Sequence, residues 1–225
     1  MNEFDWQTLL DIDWLEIGQA CLDTFTMLGV SLLFTVLIGL PVGVLLFLTA
    51  PGQLLARPRL YAVLSLLINV LRAVPFIILL IVMIPLTLKL VGTSLGVAGA
   101  IPPLIAASAP FFARLAENVF RDIDKGVIEA SQAMGARLHQ LVLGVLLPES
   151  LPGLIGATTV TAVTLVSYTA MSGVIGGGGL GDLAVRYGYQ RFQTEVMVVT
   201  VTLMLVLVQW LQSAGDRLVR RFQRR

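Results

Sequence analysis

Thr24–Ala56, TFTMLGVSLLFTVLIGLPVGVLLFLTAPGQLLA, runs for 33 residues without one acidic or basic side chain. A hydrocarbon core about 30 Å thick is crossed by roughly 20 apolar residues rising about 1.5 Å each. The densest part of the stretch, residues 28–48, therefore reads as a membrane span. Four more charge-free runs follow: Ala73–Leu88, Leu90–Ala113, Ser150–Gly181 and Val196–Gly215, of 16, 24, 32 and 20 residues. The 16-residue run is too short to cross unless Asn69–Arg72 begin it. The expected spans are thus about 28–48, 69–88, 90–113, 154–175 and 196–215. These runs are continuously apolar, whereas a membrane barrel would alternate apolar and polar in segments of about ten residues. The fold class is all-α integral membrane protein with five transmembrane helices.

Composition agrees. Of 225 residues, 56% are apolar and 13% charged, against roughly 45–50% and 25% in soluble domains, which leaves too little polar surface for a soluble enzyme or a nucleic-acid reader. Cys21 is the single cysteine, so neither a disulfide framework nor a multi-cysteine metal site is available. The net charge of +1 hides a polarity: residues 1–56 carry six acids and no Lys or Arg, while 216–225 alone carry five Arg and one Asp.

Cytoplasmic loops collect Lys and Arg. Placing the basic tail 216–225 inside puts eleven Lys and Arg inside and three (Lys89, Arg186, Arg191) outside, with Arg72 set aside. Five spans then leave the acidic N-terminal segment 1–23 outside. That segment lacks the positive n-region of a secretory signal. Its Trp6, Leu10, Trp14 and Ile17 recur at helical spacing, the pattern of a short amphipathic helix on the outer interface.

Between the third and fourth spans, the loop 114–149 holds 9 of the 29 charged residues in 36 positions. Gly126 breaks the chain, VIEASQAM (Val127–Met134) reads as two helical turns, and Gly135 stands where a left-handed cap belongs. So short a helix is not stable alone in water and must be held by something else. Ala130 and Ala133 give it a flat small-residue face. Leu138, Leu141, Val142, Val145 and Leu146 then follow an amphipathic spacing, and Pro148 and Pro152 turn the chain into the fourth span.

Glu129-Ala130-Ser131, three residues, Gly135, nine residues and Val145-Leu-Leu-Pro148 resemble the EAA signature of bacterial ABC-importer permeases, E-A-A, three residues, G, nine residues, I-x-L-P. Ser131 and Val145 are mild departures. GLPVGVLL (Gly39–Leu46), RAVPFIILL (Arg72–Leu80), IEASQAMGA (Ile128–Ala136), GGGGLGD (Gly176–Asp182) and YGY (Tyr187–Tyr189) are similar, more narrowly, to the methionine-import permeases, over roughly residues 20–215. The resemblance implies a type I ABC-importer permease fold in the bacterial inner membrane. The domain would cover 24–215, its short loop helix (Glu129, Ala130, Ser131, Ala133, Met134, Gly135, with Pro148 beyond) seated on a separate ATPase. Two ATPase subunits, an external substrate-binding protein and a second copy of the chain are the implied partners. ATP and Mg would sit on the ATPase, leaving this chain with no cofactor and no metal. Methionine as substrate rests on the resemblance alone.

The residues exclude several alternatives. Neither lysine, Lys89 nor Lys125, stands in a phosphate-binding glycine loop. Gly176-x-Gly178-x-x-Gly181 matches a dinucleotide fingerprint but follows a lipid-length apolar run instead of a strand. It reads either as a flexible end of the fourth span or as a break that shapes the path or meets the delivering protein. Ion-driven carriers usually need acids within the bilayer, and no expected span holds one. His139 reads as a solvated residue of the amphipathic helix, and Ser167 has no His or Asp partner. Candidate pathway residues are Ser167, Tyr168 and Met171 of the fourth span and Arg72, which otherwise snorkels. Gly39-xxx-Gly43, Gly92-xxx-Gly96 and Gly173-xxx-Gly177 offer close-packing faces, within one chain or between two copies. Another amino acid or small solute as cargo, an ion-coupled carrier and a non-transporting ATPase-docking scaffold remain the competing readings.

Overall fold

The computed structural model describes residues 13–223, and these form helices joined by short turns, without a strand. The helices are α1 (Trp14–Thr49), α2 (Pro58–Ala73), α3 (Phe76–Val91), α4 (Gly96–Arg121), α5 (Lys125–Ala133), α6 (Leu138–Leu141), α7 (Leu147–Gly173), α8 (Gly179–Leu183) and α9 (Thr194–Phe222). Wider π-turns join α6 to α7 (Val142–Leu146) and follow α8 (Ala184–Tyr189). Four helical rods are long and apolar enough to cross a membrane: α1, α4, Leu138–Gly173 and α9. The bent pair α2 and α3 passes the same test together, which makes up to five.

Local chemistry sets the boundaries. Asp13 Oδ1 accepts the N–H groups of Leu15 and Glu16 at 3.0 and 3.2 Å, a side-chain cap for α1. From there α1 runs unbroken for 36 residues. A separate interface helix ending near residue 23 is therefore not what the described residues form, because no breaker stands between Trp14 and Leu28. Trp6 and Leu10 lie outside the described residues, as do Arg224 and Arg225 of the basic tail.

The expected second span, 69–88, is interrupted. Pro75 has no N–H and keeps Val74 out of helical geometry, so α2 ends at Ala73 and α3 begins at Phe76. Asn69–Arg72 belong to α2. The third span starts later than residue 90, since Gly92 closes α3 in the left-handed region (φ 78°) and donates to Leu88 O. Gly92 and Gly96 (φ 70°) are thus turn residues, with no close neighbour for a packing face.

Residues divide into two compact units. One comprises residues up to Phe34, Val74–Ala107 and Ala162–Leu211. Its core is built from Met27, Leu28, Phe76, Leu80, Leu104 and Leu165, with Ile17, Ala20, Leu180 and Leu183 forming a satellite. The other comprises Thr35–Ala73, Ser108–Thr161 and the chain from Gln212. Phe47, Phe112, Phe120, Ile128, Leu141 and Leu146 form its core. Here Gly39 and Gly43 do pack within the chain: a Cβ on either would come within 2.9 Å of the α4 backbone. The Thr35 and Ser108 hydroxyls share a 2.7 Å hydrogen bond in the same unit. Many large apolar side chains remain outside both cores, Val82 and Leu205 among them at 69% and 64% exposure, as lipid-facing surfaces require.

Candidate functional site

The segment from Asp124 to Leu146 is built by hydrogen bonds that its sequence supplies. Asp124 Oδ1 accepts Gly126 N–H at 2.7 Å and starts α5 at Lys125. Gly126 therefore lies in the first turn instead of breaking the chain. At the other end Gly135 takes φ 78°. Gly135 N–H donates to Gln132 O at 2.9 Å and Ala136 N–H to Ser131 O at 3.1 Å. This is the paired closure of a Schellman cap. Arg137 N–H then donates to Gln140 Oε1 at 2.8 Å as α6 begins.

Two faces of α5 differ. Ile128 and Ser131 turn inward, Ile128 into the cluster with Phe47, Phe120 and Leu141, and the Ser131 hydroxyl donates to Val127 O at 2.8 Å. Glu129, Ala130, Gln132 and Ala133 are exposed, and Met134 is 81% exposed. Val127 and Leu138 are also exposed. Leu138 to Gly173 forms a single 36-residue rod, so Pro148 and Pro152 do not turn the chain. The π-turn Val142–Leu146, closed by Leu147 N–H to Val142 O, directly precedes Pro148. A widened turn accommodates the ring and the missing donor that a regular turn would not.

The candidate pathway residues separate. Ser167 and Met171 are exposed on one face of α7, with Val174 beyond them. Tyr168 turns away: its ring stacks on Phe76 with centroids 4.6 Å apart and planes 8° off parallel. Thr169 and Ser172 are buried and return their hydroxyls to carbonyls of their own helix. Arg72 is exposed on α2, in the other unit, with its guanidinium 5.7 Å from the centre of the Phe111 ring.

The glycine run after α7 is a packed turn. Gly176, Gly178 and Gly179 all have φ near 78°, and Leu180 N–H donates to Thr24 Oγ1 at 2.9 Å. A Cβ on Gly179 would lie 2.7 Å from that same oxygen and 2.8 Å from Met27 Cε. Gly173 and Gly181 meet backbone of α8 and α7 respectively. The third small-residue motif, like the first, has its Gly173 face filled from within the chain.

Two polar clusters escape a reading by charge-free runs. Glu117, with no exposed surface, sits in α4 between Arg114 at 2.6 Å and Arg121 at 2.7 Å. The signal was Arg-x-x-Glu-x-x-x-Arg, which puts both cations on the carboxylate's face of a helix. In the other unit Arg186 pairs with Glu16 at 3.0 Å and Asp182 at 2.9 Å, and Tyr187 Oη donates to Glu16 at 3.1 Å. Among the described residues no group of His, Cys, Asp and Glu could hold a metal ion.

Residues 39–225 match the family model described as binding-protein-dependent transport system inner membrane component. A probable D-methionine transport system permease protein of Pasteurella multocida is 44% identical over 212 residues, covering 94% of this chain and 98% of that protein. The D-methionine transport system permease protein of Escherichia coli K12 is 54% identical over 151 residues, 67% of this chain and 70% of that one. Among solved structures, a chain of the MetNI methionine ABC transporter in an inward-facing conformation superposes with a TM-score of 0.92 at 46% identity, over 98% of this chain and 100% of the other.

Proposed function

The chain belongs to the family of binding-protein-dependent transport system inner membrane components, and from that premise we propose that it is the membrane-spanning subunit of an ATP-driven methionine importer. It is a multi-pass component of the bacterial inner membrane. Its relatives at 44% and 54% identity carry methionine transport in their names, which supports methionine as the cargo. Hydrolysis of ATP belongs to a separate subunit, the division of labour within this transporter family.

The observation that carries the coupling role is the outward face of α5. Nine residues are too few to hold a helix alone. Ile128 and Ser131 anchor one side, and the face with Glu129, Ala130, Ala133 and Met134 is left open. Small side chains beside a flexible exposed Met suit close approach by another protein. In this reading two ATPase subunits grip the α5 helices of two copies of the chain, holding ATP and Mg themselves. Nucleotide-driven closure brings the α5 helices together and shifts the spans from inward- to outward-facing. An external substrate-binding protein delivers the cargo to a conduit between the two copies.

Five spans follow if α2 and α3 form one interrupted crossing. The acidic N-terminal segment then lies outside and the basic tail inside. Ser167 and Met171 share the α7 face that we assign to the conduit. Met171 supplies a deformable apolar plug, while Tyr168 supports that face from its stack on Phe76. Arg72 stays near the inner interface.

Labelled-methionine uptake into proteoliposomes holding the chain, its ATPase and its binding protein tests the reading. Uptake that requires both ATP and the binding protein is expected. Uptake without the ATPase would make the chain a carrier, and ATPase binding without uptake of any amino acid would make it a scaffold.

A further inference from the structure

Glu117 has both carboxylate oxygens occupied. Arg114 Nη1 donates to Oε2 at 2.6 Å. Arg121 Nη2 and Nε donate to Oε1 at 2.7 and 3.1 Å, and Tyr61 Oη reaches the same oxygen at 3.1 Å. Arg114 extends the network with its other nitrogen, Nη2, which donates to Ser65 Oγ at 2.7 Å and to Asn69 Oδ1 at 3.2 Å. Tyr61, Ser65 and Asn69 stand four residues apart along the 16-residue α2, so they form one polar stripe between Arg59 and Arg72 near its two ends. Next to the stripe, Ile68 packs with Leu46 and Ala113.

Apolar helix contacts can slide, but Arg114, held by Glu117 on α4, cannot shift against Ser65 and Asn69 of α2 without breaking its directed hydrogen bonds. The network ends at Arg121, the last residue of α4, and only Asp122–Asp124 separate it from α5. Phe120 of α4 and Ile128 of α5 are buried in one cluster. The last turn of α4, where the network ends, thus shares a buried cluster with α5 and is joined to it by three residues.

We propose that this network is the tie that passes movement of α5 to α2, with Arg114 and Glu117 as positioning residues and Tyr61, Ser65 and Asn69 as their hold on α2. The inference rests on the reading that α5 docks the ATPase. It adds the residues through which docking reaches a second helix, one that leads by way of Val74 and Pro75 into α3.

The test uses the complete transporter, with ATPase and binding protein, in proteoliposomes. The combined Tyr61→Phe, Ser65→Ala and Asn69→Ala variant strips the α2 side chains from the network and leaves Arg114, Glu117 and Arg121 paired on α4. The ATPase should co-purify normally and ATP hydrolysis stay within about twofold, while methionine imported per ATP falls about tenfold, within the usual range of inter-site coupling. Arg114→Lys keeps the charge but loses the fork and should give a smaller fall in the same ratio. An unchanged ratio in both variants would overturn the proposal. So would an equal loss of hydrolysis and uptake, or failure of both variants to assemble, because either makes the network a folding element alone. If the wild-type chain itself does not hold the ATPase, the docking reading fails and takes this inference with it.

Discussion

α5 and α8 are short helices on either side of the Leu138–Gly173 rod in the sequence, and both lean on left-handed glycines, yet they are finished differently. In α8, Gly179, Leu180, Gly181 and Leu183 are buried, and its backbone is stitched to α1 through Thr24. In α5, only Ile128 and Ser131 are buried. A five-residue helix with almost every residue covered by its own chain is complete. A nine-residue helix with one open face is the one that we propose meets a surface from elsewhere. The contrast separates glycines that let the chain pack on itself from a glycine, Gly135, with open space around it.

Substitutions should therefore behave oppositely in the two regions. The largest loss is expected from Gly181→Val, because even a Cβ there meets the backbone of Ala170. Overpacking against backbone should cost at least the upper part of the usual range of about 1–3 kcal/mol, read as a lower melting temperature in detergent and poor recovery from membranes. Full recovery with unchanged melting would show that α8 is not sealed as described.

Thr24→Val comes next. It strips Leu180 N–H of its buried acceptor, and an unsatisfied buried donor costs about 1–3 kcal/mol. Thermal unfolding measures it, and hydrogen exchange should rise at Leu180.

Gly135→Ala tests the other region. No atom lies within 4 Å of a Cβ at Gly135, and its φ of 78° alone opposes the change. Left-handed backbone costs a non-glycine residue roughly 1–2 kcal/mol, so α5 should fray while the rest of the fold melts as before. The ATPase should be retained less well. Global destabilisation as large as that of Gly181→Val would erase the distinction between the regions.

The smallest stability effect belongs to Met134→Ala. The side chain is 81% exposed, and surface substitutions of this kind usually stay within about 0.5 kcal/mol. Its melting curve should overlay that of the wild type even as ATPase affinity falls.

The legible parts of the sequence were those with one physical solution. Gly135 ends a helical run at a place where a left-handed residue is needed, and its φ is as the spacing implies. Long, continuously apolar runs mark helices α1, α4, α7 and α9 because a helix satisfies its backbone groups within one segment in lipid, whereas a barrel strand would alternate. Reading spans between charges failed where charges are buried in pairs. Arg114 looks like the end of a span, yet α4 continues to Arg121, with buried Glu117 paired to a half-buried Arg114 on one side and an exposed Arg121 on the other. Pro75 carried its signal openly, but a search for 20 apolar residues fused parts of two helices across it. Pro148 misled in the other direction, since a π-turn can absorb a proline that the sequence makes look like a corner. Ser167 and Tyr168 are both candidate pathway residues, and as neighbours in a helix they point about 100° apart, Tyr168 onto Phe76.

The claim most worth challenging is that α5 keeps its open face for the ATPase. Ala130→Glu places a charged side chain on that exposed face without touching Ile128 or Ser131. Affinity purification of this variant from membranes co-expressing the ATPase measures the consequence directly. Wild-type insertion and melting are expected with the ATPase lost from the eluate; an eluate in which the ATPase accompanies the variant at wild-type stoichiometry would show that α5 is not the docking helix.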